Sequence, residues 1–248
     1  MIINVHGGAW IMGDALVLDT QSSILSEKTG ALVVNVNYKK ADIQPFPYAQ
    51  NEVFDSAKYF IDNASRYNVD TSRIILMGYS AGAHLCAVVA TMLRDIGINP
   101  ELQVLCYPFT DFTCGGGRQT EIKEKLDSIA FMDEVLFAKV GKDTTICSPA
   151  MNVNFANLAP AVIITCGNDP LKIQGDEYAA KLRDAGVKVR YFHYTRAIHG
   201  FMECNYPETR KDGSKSPEQE LLCRDCLETI ISIINGKPES EKENAIIY

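Results

Sequence analysis

The 248-residue chain predicts an α/β fold, a mostly parallel sheet covered by helices on both faces. Three observations carry that expectation. Short β-rich apolar runs alternate with longer amphipathic ones along most of the chain. The short runs are nearly continuous in Val, Ile and Leu, the pattern of strands buried on both sides, and parallel neighbours need crossovers of the length seen between them. With 46% hydrophobic and 22% charged residues, the composition suits a single core of ordinary size.

Taken in order, the strand candidates are residues 2–6 (IINVH), 31–37 (ALVVNVN), 73–79 (RIILMGY), 102–108 (LQVLCYP), 161–167 (AVIITCG) and 187–194 (VKVRYFHY). Each is short, β-branched or aromatic, and bounded by turn residues. Helical candidates lie between them near 16–29, 48–66, 81–95 and 171–185, with a last one near 217–235. Right-handed crossovers are expected throughout. One domain should therefore span 1–235. Residues 109–156 break the rhythm: with Gly115-Gly116-Gly117 and short helical pieces near 121–126 and 132–140, they are too long for a plain connection and read as an insertion or lid. After Asn235 the polar stretch GKPESEKEN opens what reads as a flexible tail over 236–248.

Bulk charge bears on the choice of partners. Against 31 acidic residues there are 24 basic ones, a formal net charge of −7, which disfavours nucleic acid and anionic membrane. No apolar run is long enough to span a bilayer, and the opening MIINVHGG lacks a signal-peptide pattern, so a cytoplasmic chain is expected. The eight cysteines are scattered, several inside apolar runs, which fits reduced thiols packed as small hydrophobes. Cys223 and Cys226 form one C-x-x-C without a second ligand pair, so no metal site is expected.

The chemistry gathers at LMGYSAGAH, residues 76–84, where a strand meets a helix with Ser80 at the corner between Gly78 and Gly82. A sharp turn of that kind holds the hydroxyl out toward a substrate. Serine needs a base and the base needs an orienting carboxylate. Of the four histidines, His199 sits in a loop after the sixth strand and is the best base. His193 lies within that strand, His84 one helical turn past Ser80 in a packing or hydrogen-bonding position, and His6 in the HGGAW turn after the first strand. Asp169 ends the fifth strand on the same carboxyl edge and is the best acid, with helix capping as its plainer role. Asp176 and Asp184 read as solvated helix charges. For an oxyanion, the HGG turn offers the amides of Gly7 and Gly8, and the helix start offers that of Ala81. Trp10 and Phe109 are candidates for pocket walls and equally for core.

HGGAW, GYSAG, NDPL and IHGF, in that order, resemble the α/β-hydrolase serine esterases of the hormone-sensitive-lipase type. NYKKADIQPFPYAQNEVFDSA is similar to that family's stretch around Asp-Tyr-Arg and a later Pro-Phe-Pro, and QVLCYPFTD to its strand ending in Tyr-Pro. The resemblance runs from His6 to Phe201. It implies an α/β-hydrolase fold with Ser80 as nucleophile, His199 as base, Asp169 as its orienting acid, Gly7, Gly8 and Ala81 as oxyanion donors, and no cofactor or metal. Members usually carry two more strands and a cap before the HGG motif, and only five residues precede His6 here, so the N-terminal strands and cap are expected to be missing. A more open pocket and an uncovered sheet edge follow, and the edge makes a homodimer possible. Asn37 and Tyr79 stand where the family often has aspartate. The expected activity is hydrolysis of short-chain, acetyl-type carboxylic esters through an acyl-enzyme, the partner being a small ester. Two alternatives stay open. GYSAGAHL with HGGAW also resembles the arylformamidase branch, which implies an amidase with the same triad, and some relatives of this fold are receptors without catalysis.

Overall fold

The computed structural model describes residues 1–112, 147–204, 216–236 and 246–247. Among the described residues, seven parallel strands form one sheet: β1 (Ile2–Val5), β2 (Val33–Val36), β3 (Ile75–Tyr79), β4 (Leu102–Cys106), β5 (Ala161–Asn168), β6 (Val189–Ile198) and β7 (Ile246–Ile247). Their spatial order is β2-β1-β3-β4-β5-β6-β7, so the chain starts inside the sheet, steps outward once to β2, and then winds across to the far edge.

Because side chains alternate across a strand, each central strand feeds two cores. Ile3, Val5, Leu76, Leu105 and Ile163 point to one face, which is covered by α2 (Tyr48–Asp62), α4 (Ala81–Asp95) and α5 (Lys172–Asp184). Ile2, Ile75, Met77, Val104, Val162 and Ile164 point to the other, under α1 (Asp19–Thr29), the short turn α6 (Phe201–Cys204) and α7 (Pro217–Ile234). Burial on both sides accounts for the unbroken apolar runs. The thiols of Cys223 and Cys226 lie in this second core, which explains a C-x-x-C on an amphipathic helix.

Several boundaries differ from expectation. The segment 16–29 divides into a 3-10 turn at Ala15–Leu18, capped by the Asp14 carboxylate on the Leu16 amide, and α1. The segment 48–66 breaks at Asn63 into α2 and α3 (Ala64–Tyr67), and α3 ends on Asn68 in the left-handed region. β6 extends past the expected residue 194 to Ile198, following β5 through a register shift between Cys166 and Asn168. The tail reading needs correction at its end: Ile246 and Ile247 pair with His193 and Tyr194, where two apolar residues satisfy an edge that would otherwise stay open. Of the expected insertion, residues 113–146, with both short helical pieces and the glycine run, lie outside the described residues, as do 237–245 and 248 of the tail.

At the opposite edge, β2 pairs only with β1 among the described residues. A cavity of about 460 Å³ runs along it, lined by Asn35, Asn37, Tyr38, Glu52, Tyr59 and Phe60 among others, and it shares no lining residue with the serine corner. Among the described residues no helix is long and apolar enough to cross a membrane.

Candidate active site

β3 ends at Tyr79 and α4 begins at Ala81, so a single residue makes the corner. That residue, Ser80, has φ 51° and ψ −116°, a region that L-residues avoid at a cost of about 1–3 kcal/mol. The corner is held by the Ser80 amide donating to the Cys106 carbonyl at 2.9 Å and by the Ser80 carbonyl accepting from the His84 amide at 3.1 Å. Bare Cα atoms make the close approach possible. A Cβ on Gly82 would lie 2.1 Å from the Val5 carbonyl oxygen, and one on Gly78 would lie 2.3 Å from that of Gly82.

Three side chains from distant segments meet here. Ser80 Oγ is 2.8 Å from His199 Nε2, and His199 Nδ1 is 2.8 Å from Asp169 Oδ2. A carboxylate only accepts, so Nδ1 carries the proton and Nε2 is left to accept from the hydroxyl. The Asp169 side chain is wholly buried while that of His199 is 35% exposed, so the acid is shielded and the imidazole faces the solvent side. Asp169 also caps the next helical turn, its Oδ1 accepting from the Leu171 amide at 2.8 Å. Capping and orienting thus use different oxygens of one carboxylate. Beneath the pair, β5 and β6 touch: a Cβ on Gly167 would meet the Thr195 carbonyl oxygen at 1.9 Å.

The HGGAW turn runs through an unusual backbone, with φ at 113° for Gly8, 50° for Ala9 and 62° for Trp10. Its two glycines are not equivalent. Gly7 is buried and its amide donates to Glu203 Oε1 at 2.6 Å. Its carbonyl accepts from Tyr38 OH at 3.2 Å and lies 2.5 Å from His6 Nδ1. Lys40 Nζ stands 3.2 Å from His6 Nε2, which makes Nε2 the acceptor and Nδ1 the donor to Gly7. The Gly7 amide expected to face an oxyanion is therefore already committed to a carboxylate, whereas Gly8 is half-buried and neither its amide nor that of Ala81 donates to another group among the described residues. His6 stacks on Tyr38 at 4.5 Å and acts inside the loop.

The remaining histidines stand apart. His193 Nδ1 pairs with Thr165 Oγ1 at 2.9 Å on the sheet's flank. His84 is buried, with Nδ1 accepting from the Trp10 indole at 3.1 Å and Nε2 donating to the Cys147 carbonyl at 2.7 Å. Trp10, Phe109 and Phe112 pack as an aromatic cluster around it, with ring centroids 4.4 to 5.2 Å apart. Trp10 and Phe112 also wall a narrow niche with Ala41, Gln44, Phe46, Ala49 and Gln50. Asn37 donates to Asp14 and accepts from Lys40, and Tyr79 OH donates to Gln21, so both positions where the family often has aspartate support the site's surroundings.

Two neighbours escaped sequence reasoning. Tyr107, at φ 40°, sets its ring edge-on to His199 with centroids 5.1 Å apart. Glu203 lies four residues past His199, and its carboxyl is pushed above the usual carboxylate range by burial, opposed by the Gly7 amide, His199 and Tyr107. The spacing His199-x-x-x-Glu203 was the available signal, but only the chain's path brings the carboxylate to Gly7.

The chain matches the model of a family described by its alpha/beta hydrolase fold over residues 2–203. It is 29% identical over 208 residues to an arylesterase of Saccharolobus solfataricus, covering 82% of this chain and 68% of that protein. It is likewise 29% identical over 212 residues to an ethyl acetate hydrolase of Pseudomonas putida, covering 81% and 65%. The chain thus spans about two-thirds of the length of these curated relatives. Among solved structures, a hyperthermophilic esterase from the archaeon Pyrobaculum calidifontis superposes with a TM-score of 0.80 at 31% identity, covering 95% of this chain and 76% of that one. With the parallel sheet, the strained serine corner and these matches together, the chain belongs to the α/β-hydrolase fold family, among its hormone-sensitive-lipase-like esterases.

Proposed function

We propose that this protein is a carboxylic ester hydrolase that cleaves short-chain, acetyl-type esters by way of an acyl-enzyme on Ser80. One observation carries the reading: hydroxyl, imidazole and carboxylate form an unbroken chain of two 2.8 Å contacts, although they lie at positions 80, 199 and 169. Ser80 Oγ attacks the acyl carbonyl as its proton passes to His199 Nε2. The buried Asp169 carboxylate stabilises the imidazolium that results. The free amides of Gly8 and Ala81 receive the oxyanion, and each such donor is worth about 2.7–4 kcal/mol in comparable sites. His199 then returns the proton to the leaving alcohol, and water, deprotonated by the same imidazole, releases the acid.

The preference for small acyl groups is read from the narrow niche that Trp10 and Phe112 wall with Phe46 and Gln50 beside the HGG turn. It is in keeping with the ethyl acetate hydrolase among the relatives. The test is a p-nitrophenyl ester series from acetate to decanoate, run beside an N-formyl aromatic amide, together with fluorophosphonate labelling. Labelling should vanish in Ser80→Ala, with kcat falling at least about 10⁴-fold. Rates should peak at two to four acyl carbons and exceed the formamide rate. A native protein that neither labels nor turns over acetate would end the proposal.

A further inference from the structure

The geometry points to Glu203 as a positioning residue for this same site, one that holds the Gly7 amide so that the HGG turn keeps its next amide directed at the oxyanion. This rests on the esterase reading and adds to it a residue outside the triad. Peptide units are planar. Gly7 belongs to two peptide units, and both are tied down. The unit before it is fixed through its N–H, which donates to Glu203 Oε1 at 2.6 Å. The unit after it is fixed through its C=O, which takes Tyr38 OH at 3.2 Å and the His6 Nδ1 donor at 2.5 Å. In a trans peptide the N–H points opposite to the C=O, so anchoring the Gly7 carbonyl aims the Gly8 amide the other way. A turn with three successive positive φ values has no regular hydrogen-bond ladder to keep it in place, which is why external anchors matter.

Glu203 also ties the turn to the base. Its Oε2 accepts from Tyr107 OH at 3.4 Å, and the Tyr107 ring backs His199 at 5.1 Å. One segment, from the end of β6 through α6, therefore delivers both the imidazole and the anchor of the oxyanion turn. Fit at Gly7 is close, since a Cβ there would lie 2.8 Å from Glu203 Oε2 and 3.0 Å from the Tyr79 carbonyl oxygen.

Kinetics of Glu203→Ala and Glu203→Gln on p-nitrophenyl acetate, beside the parent and Ser80→Ala, give the first test. Glu203→Ala should lower kcat ~10- to 100-fold, the cost of a mispositioned catalytic group, while KM changes less than about threefold. Glu203→Gln keeps an oxygen acceptor for the Gly7 amide and should recover most of the loss. Unchanged kcat in Glu203→Ala, or a Gln variant as impaired as the Ala variant, would overturn the assignment. Should the Ala variant fail to fold, hydrogen exchange on the unaltered protein decides: the Gly7 amide should exchange at least ~100-fold more slowly than the Gly8 amide, and the reverse order would overturn the assignment. An inactive parent would instead strike the esterase reading and leave the exchange test standing.

Discussion

His84 shows at the scale of one residue how the surroundings of the site depend on pH. Its Nδ1 accepts from an indole that can only donate, and its Nε2–H is given to the Cys147 carbonyl, so both ring nitrogens are used by the neutral form alone. Burial pushes the imidazole down to about 4, below its usual value near 6.5. A depressed pKa contributes stability that is complete above pH ~6.5 and disappears as pH falls through about 4, on the order of 3 kcal/mol for a fully buried ring. Urea unfolding at pH 7 and pH 4 measures this. The parent should lose about 3 kcal/mol more over that interval than His84→Gln, and equal losses in both proteins would show that His84 does not carry the effect. From sequence, His84 was readable as a packing or hydrogen-bonding residue because it follows the serine on the same helix. Its partners were not readable, since Trp10 and Cys147 lie 74 and 63 residues away. Ser80, Asp169 and His199 were readable for a different reason: each sits at a strand end marked by its own turn residues, and in a parallel sheet those ends share one edge. Glu203 has only its spacing from His199 to mark it, and its partner Gly7 is 196 residues distant.

Glycines separate two kinds of constraint at the scale of elements. Gly82, in the first turn of α4, has the Val5 and His6 carbonyl oxygens 2.1 and 2.5 Å from any added Cβ, so that helix rests on β1 through a bare Cα. Gly82→Ala should push α4 off the sheet and cost at least ~3 kcal/mol, a fall of about 8 °C in a thermal melt. Gly30 ends α1 at φ 68° with open space where a side chain would go. There Gly30→Ala should cost only about 1 kcal/mol, from backbone strain. Should the two variants melt together, steric contact would not be what sets Gly82. The element types were readable from periodicity, but their ends were less so. α2 stops at Asn63 inside an apolar pattern that continues, and β6 runs on to Ile198, which pairs with Asn168 of β5 beyond a register shift that alternation alone does not reveal. The Ile246–Ile247 strand follows the same logic, a tertiary edge recruiting a segment whose polar lead-in suggested none.

Over the whole molecule the sheet is unevenly defended. β1, β3 and the inner positions of β4 and β5 are almost wholly inaccessible, whereas Val33, Val34 and Asn35 of β2 are only half-buried, the last two beside the cavity on that edge. Opening free energies should follow this gradient. Hydrogen-exchange mass spectrometry should find peptides over 75–79 and 102–106 the slowest and those over 33–36 among the earliest to exchange. Early exchange in β3 with late exchange in β2 would contradict a stability centred beneath the serine corner. Doubly covered parallel architecture was readable because burial on both faces leaves its mark in composition. The order of strands was not, since the inward start at β1 depends on which edges pair and not on what the residues prefer.

The contact between Gly167 and Thr195 carries a consequence for the reactive trio. The two strands run close together there, so the acid and the imidazole ride on β5 and β6, while the hydroxyl sits between β3 and α4. The relay therefore has a stiff half and a compliant half. Heat, mild denaturant or a bulky ligand should loosen the link between oxygen and imidazole well before the link between imidazole and carboxylate, leaving an oriented imidazole without its hydroxyl neighbour.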